Sequence, residues 1–259
     1  MKKILVLIGN YGSGKTELAL HFALKAAHQG RTELIDLDML NAYFRITTQR
    51  ELLEPAGVHL VSPNFAGTNI EALSLPASIS SAFHSDWDTV VFDVGGDAAG
   101  ATALGRYHAD FLQLPPAQLE VLNVVNVRRP LSGTPEKVIA LMHSMQNNSR
   151  LTITGLINNS NLASESTAAD LQEGYAVLRE VSRQTGAPVA YTTGRSELLD
   201  QFLAQDPDPL YVGKPQALIL RVRRDLNSFV KNGVSARTPY NTRTMSDTIL
   251  DGKREAEHG

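Results

Sequence analysis

The stretch Ile4-Leu5-Val6-Leu7-Ile8-Gly9-Asn10-Tyr11-Gly12-Ser13-Gly14-Lys15-Thr16 decides the fold. Ile4 to Ile8 form an unbroken apolar run, which suits a strand buried on both faces, and Gly9 ends it. Gly9 to Thr16 fit G-x-x-x-x-G-K-[ST], and from Glu17 to Ala27 apolar residues return at helical spacing until Gly30 closes the pattern. Strand, glycine-rich loop and helix are the setting in which this motif works. Its glycines let consecutive backbone N–H groups turn inward around a polyphosphate, and the helix N-terminus adds its positive end. Lys15 is expected to reach the β- and γ-phosphates and Thr16 to ligate Mg²⁺. The whole loop, Gly9, Asn10, Tyr11, Gly12, Ser13, Gly14, Lys15 and Thr16 with the adjoining Glu17, is assigned to nucleotide binding.

Outward from this motif the alternation continues. Strand-like runs lie at residues 33–37, 58–61, 89–93, 121–127, 152–157 and 188–192, with helical stretches between most of them. Gly30, Gly57, Gly186 and Pro188 fall where helices should stop, and Thr134-Pro135 followed by Glu136 and Lys137 opens one. Apolar strands separated by helices imply parallel pairing, hence a doubly wound α/β sheet, mostly parallel, with helices on both faces. Residues 218–224 alternate apolar and basic side chains and are expected to form an edge strand. Residues 237–259 are polar, and the expected division is a nucleotide-binding domain over 1–225 and a mobile tail over 226–259.

Bulk properties remove several function classes. The 259 residues carry a net charge of -3 with no basic stripe, which argues against nucleic acid as a partner. There is no cysteine, so this chain can supply neither disulfides nor the thiolates of an iron–sulfur cluster. The seven histidines show no metal spacing such as H-E-x-x-H. The apolar run near the N-terminus is too short for a signal peptide or a membrane span, and a cytoplasmic location is expected.

Two further carboxylate groups stand at predicted strand ends, where a parallel sheet places its ligand-binding groups. Asp36-Leu37-Asp38 ends the second strand, and alternate positions let Asp36 and Asp38 face one crevice. Asp93-Val94-Gly95-Gly96-Asp97 ends the strand at 89–93. Asp93 is placed to hold a Mg²⁺-bound water and Gly96 to turn its N–H toward a γ-phosphate. The plainer alternatives for these carboxylates are solvated strand-end turns or a helix cap.

A P-loop, then a strand ending in Asp-x-Asp, then one ending in Asp-x-Gly-Gly, resembles the MinD/ParA, nitrogenase iron protein and dethiobiotin synthetase group of P-loop ATPases over roughly residues 1–200. The resemblance implies Lys15, Asp38 and Asp93 as catalytic residues. In it Asp38 orients the attacking water, Asp36 supports it, and Asp93 is the metal-side carboxylate; Thr16, Asp36, Asp38 and Asp93 form the Mg²⁺ set. Gly155-Leu156-Ile157-Asn158-Asn159 is similar to the strand end at which the group presents an asparagine to adenine; Asn159 is the first choice and Asn158 the second. Guanine-specific P-loop proteins usually carry Asn-Lys-x-Asp here, and Asn158-Asn159-Ser160-Asn161 has neither the lysine nor the carboxylate. The implied cofactors are ATP and Mg²⁺.

One residue departs from the pattern. MinD and ParA relatives carry a lysine after the first loop glycine that reaches the partner's nucleotide in a dimer, and here that residue is Asn10. A homodimer stays open, without that lysine to activate it, and hydrolysis by the isolated chain is expected to be slow. Other candidates are Tyr43, Phe44 and Arg45, which either contact a ligand or pack their loop, and Arg106 and His108, which either transmit nucleotide state or are ordinary helix residues. Arg128 and Arg129 bind an anionic substrate or pair with neighbouring carboxylates. The leading functional expectation is a Mg²⁺-dependent ATPase that acts as a nucleotide switch on a protein partner. The alternatives are a small-molecule phosphotransferase or ligase of the dethiobiotin synthetase type, and a nucleotide sensor that scarcely hydrolyses.

Overall fold

The opening of the chain is realised as strand β1 (Lys3–Gly9), the glycine-rich loop and helix α1 (Lys15–Ala27). The structure, a computed structural model, describes residues 2–38, 50, 53–62 and 69–218, with only the helical course given for 69–76. The described residues fall within a compact unit, Met1–Val222. The expectations for Asn41 to Arg45, for residues 219–224, for the tail and for the domain boundary lie outside them.

After α1 come β2 (Thr32–Leu37), β3 (Val58–Val61), α2 (Asn69–His84), β4 (Thr89–Val94), α3 (Ala98–Gly105) and α4 (His108–Leu112). The second half contributes β5 (Leu119–Val125), α5 (Pro135–Ser149), β6 (Gly155–Asn158), α6 (Ala168–Thr185), β7 (Val189–Gly194), α7 (Ser196–Leu203) and β8 (Lys214–Ala217). The eight strands form one sheet in the order β3-β2-β4-β1-β5-β6-β7-β8, and every pairing is parallel. Later strands therefore add on one side of β1 and earlier ones on the other. The crevice beyond the strand ends at that reversal is where open α/β sheets bind ligands.

Both faces are covered. Ile4, Val6 and Ile8 of β1 pack with Val138 and Met142 of α5 and Ala101 and Leu104 of α3. Leu5 and Leu7 turn the other way onto Leu18, Ala19 and Phe22 of α1. All five β1 residues are 5% exposed or less, and complete burial of such a side chain contributes about 1.5–3 kcal/mol. That alternation within a continuous apolar run is what a two-sided sheet demands. Among the described residues no helix is long and apolar enough to cross a membrane.

Several boundaries differ from expectation for identifiable reasons. The strand read at 121–127 runs instead from Leu119 to Val125, because the Asn126 side chain turns the chain by accepting from Arg128 N at 3.0 Å. Residues 152–154 stay outside β6. There Ile153 N donates to Gln146 Oε1 at 2.8 Å, and the Thr154 hydroxyl accepts from Val121 N at 2.9 Å. The edge strand β8, Lys-Pro-Gln-Ala, carries no β-favouring residue and tolerates Pro215 only because it lies at the edge.

Candidate functional site

The glycine-rich loop is held from within and from both sides. Lys15 is 6% exposed and its Nζ donates to Asn10 O at 2.9 Å, so the ammonium ties the start of the loop to the first turn of α1. Gly14, which precedes α1, has φ 93°, and a Cβ there would collide with Asn159 Nδ2. Only glycine satisfies both conditions. Thr16 and Glu17 follow in the first turn of α1.

On the β4 side the strand ends carry carboxylates. Asp36 and Asp93 are register partners across β2 and β4, 8% and 3% exposed. Asp36 Oδ1 accepts from Asp38 N at 2.8 Å, which fixes the turn that carries Asp38. A Cβ on Gly95 would lie 3.6 Å from Asp38 Oδ1, so the second carboxylate rests over the Asp-x-Gly-Gly loop. Gly96 is pressed against the phosphate loop, where a Cβ would fall 2.6 Å from Tyr11 N and 3.0 Å from Asn10 C. Asp97 caps α3 by accepting from Gly100 N at 2.8 Å. Gly100 in turn sits so close to Gly95 that a Cβ would be 2.6 Å from its Cα, and at the far end of α3 a Cβ on Gly105 would be 2.7 Å from Asn148 O of α5.

On the β5 side the chemistry changes to amides, hydroxyls and arginines. Asn159 is buried, and its Nδ2 donates to Ser13 O at 2.7 Å while its Oδ1 accepts from the Thr193 hydroxyl at 2.7 Å. Thr193 also donates to Asn158 O at 3.1 Å. The residue expected at the base therefore fastens the phosphate loop to β6 and β7, a contact between residues 146 apart in sequence. Asn158 is turned toward α6, with Nδ2 donating to Leu171 O at 3.0 Å and Oδ1 accepting from Ser160 N at 3.2 Å. Beside Asn159 a cleft at the ends of β6 and β7 is lined by Asn161, Ser166, Thr167, Leu171, Arg195 and Leu198. Three positions beyond Asn158 stands Asn161, an amide where the guanine pattern would place its carboxylate.

The remaining candidates separate clearly. Arg128 Nε lies 2.5 Å from Asp170 Oδ1 and its Nη2 2.8 Å from Glu173 Oε2, an ion pair onto α6. Burial pushes the Asp170 carboxyl up, but hydrogen bonds from the Thr167 N–H and hydroxyl and from Arg128, with the guanidinium charge, hold it below the usual carboxylate value. Arg129 turns the other way, its Nε donating to Gly12 O of the phosphate loop at 2.9 Å. Arg106 is exposed at the end of α3 remote from Gly96, and His108 begins α4, so neither is part of this site. Sequence reasoning missed Thr193 and Arg195, whose only signal is a position at the end of β7.

No protein-family model and no curated protein matches the sequence. Among solved structures the chain is similar to FtsY from Mycoplasma mycoides, with a TM-score of 0.52 and 16% identity over 79% of this chain and 67% of that one. Chloroplast FtsY from Physcomitrella patens gives 0.51 and 18% identity over 74% and 58% of the two chains. The fold is that of the P-loop nucleoside triphosphatases. The signal recognition particle receptor FtsY from Elizabethkingia anophelis, in complex with GDP, gives 0.49 and 20% identity over 77% and 60%. This chain spans 58–67% of the length of these three.

Proposed function

We propose that this chain is a Mg²⁺-dependent ATPase of the P-loop class that works as a nucleotide switch on a protein partner. The observation that carries the reading is the contact of the Asp-x-Gly-Gly loop with the phosphate loop. Gly96 has no room for a methyl group against Asn10 and Tyr11, and the adjacent Asp97 caps α3. A γ-phosphate in the loop would meet Gly96 and bias that helix, which is how a local ligand becomes a signal.

Mg²⁺ fits the donors present. Asp36 and Asp93 are adjacent and buried, Thr16 adds a hydroxyl, and all are oxygen ligands. Among the described residues no three carboxylate, imidazole or thiol groups are placed to hold a metal ion together; Mg²⁺ is commonly held by one or two carboxylates with phosphate oxygens and waters completing its shell. When bound, the ion would neutralise charge on the β- and γ-phosphate oxygens. Lys15 binds the same phosphates, Asp38 orients water from its place over Gly95, and Asn159 keeps the loop in shape.

Adenine preference is supported by Asn161, an amide at the position where guanine specificity requires a carboxylate. Asn10 is 6% exposed and its carbonyl holds Lys15, so this position offers no cation to a second copy. Slow basal turnover, raised by a partner, follows from that. Calorimetry with ATP and Mg²⁺ tests the reading. Lys15→Ala should weaken binding about a hundredfold or more, since it removes the loop's charge-assisted phosphate contacts. Equal affinity of wild type and variant would sink the phosphate site, and displacement of ATP by GTP mole for mole would sink the base assignment.

A further inference from the structure

Arg129 has a position that the switch reading leaves unexplained. Its neighbour Arg128 is paired with two carboxylates, whereas Arg129 makes no ion pair among the described residues. It is nonetheless firmly mounted. Arg129 N donates to Asn126 O at 3.0 Å and Ser132 N donates to Arg129 O at 3.0 Å, closing a tight turn. Asn126, 1% exposed, is bonded to Asn161 beyond β6 through Nδ2 at 3.0 Å. This turn aims Nε at Gly12 O and leaves the guanidinium exposed at the rim of the phosphate loop.

The sheet order says which part of a nucleotide passes that rim. Gly96, from the β4 side, touches the Asn10 and Tyr11 half of the loop. Arg129 and Asn159, from the β5 and β6 side, grip the carbonyls of Gly12 and Ser13. Phosphates and metal belong to the carboxylate flank, so the sugar and base must leave across Gly12 and Ser13 toward β6 and β7. A guanidinium there meets the flat side of the nucleoside. Its plane and weak hydration suit stacking on an aromatic ring better than an ammonium would.

We infer that Arg129 is the cationic platform for the ribose and purine of the bound nucleotide and not a phosphate ligand; this rests on the nucleotide reading above. The test is calorimetry of wild type, Arg129→Ala and Arg129→Lys with ATP, ADP and inorganic tripolyphosphate. Arg129→Ala should lose about threefold to thirtyfold in affinity for ATP and ADP alike, while tripolyphosphate binding changes by less than about twofold. Arg129→Lys should recover little, because it restores charge without the plane. A matching loss with tripolyphosphate would make Arg129 a phosphate ligand or a prop of the loop, and unchanged ADP affinity would remove it from the site; either overturns the inference. A second measurement does not depend on the variants. In the wild-type complex with ADP, Arg129 side-chain protons should show nuclear Overhauser contacts to H8 or H1′ of the nucleotide, and their absence would also overturn it. Failure of wild type to bind ATP at all would instead bring down the nucleotide reading and this inference together.

Discussion

On the β4 flank of β1 the strand ends carry carboxylates, Asp36 and Asp93 in register with Asp38 just beyond; on the β5 flank they carry Asn159, Thr193 and Arg129. The first flank gathers carboxylates, the donor type that hard cations such as Mg²⁺ take. The second is largely satisfied by its own hydrogen bonds, Asn159 being engaged through both atoms of its amide. The difference teaches that one phosphate loop is served by two kinds of wall. One carries acidic groups, and the other holds the carbonyls of Gly12 and Ser13, which under the proposed reading is also the side that receives the nucleoside.

The comparison can be broken at three places, in order of decreasing effect. Asp38→Ala should slow steady-state ATP turnover about 10²- to 10⁴-fold with little change in nucleotide affinity, because a water-orienting group acts mainly in the transition state. A large affinity loss with unchanged turnover would move Asp38 from the chemistry to binding. On the opposite flank, Asn159→Ala removes two hydrogen bonds and leaves Ser13 O without its donor, so stability should fall by about 2–3 kcal/mol, read as a lowered urea midpoint. Nucleotide affinity should fall with it, while turnover at saturation stays close to wild type.

The smallest effect tests whether the second flank extends to α6. Arg128→Ala should cost about 2 kcal/mol near neutral pH by stripping Asp170 of a charged donor, with some relief because Arg128 is 33% exposed. A carboxyl whose folded value lies below its usual 3.8 contributes stability that is present above that pH and lost as pH falls through the folded value. The gap between wild type and variant should therefore narrow in urea titrations repeated below about pH 4. A gap that stayed constant would show that Arg128 acts through packing and not through charge.

Much of the fold is visible in one dimension because burial on two faces leaves uninterrupted apolar runs, as in Ile4 to Ile8 and in Val90 to Phe92. The glycine-rich loop is visible because backbone conformation is written into residue type, as Gly14 shows. The edge strand β8 was not visible, since an edge asks nothing of Lys214 or Pro215 that sequence patterns record. At the candidate site, residue type nominates Lys15, Asp36 and Asp93 from the sequence, whereas contacts set by position alone leave no such mark. Arg128 and Arg129 are identical residues one step apart, and only the turn at Asn126 sends one to α6 and the other to the loop. The engagement of Asn159 with Ser13 was equally hidden, because an asparagine at a strand end can face a base or a backbone carbonyl with the same side chain.

Helix α3 is bracketed by contacts of a kind that side chains do not make. Behind its N-terminus Gly96 abuts the phosphate loop, Gly100 abuts Gly95, and at its C-terminus Gly105 abuts the backbone of α5. Side chains yield by changing rotamer, and at these points there are none to yield. Over the 8 residues of α3, about 12 Å of helix, the assembly resembles a push-rod with hard bearings at both ends. The loop at Gly96 and the end of α5 at Asn148 are thus joined through one short helix by backbone contacts at either end.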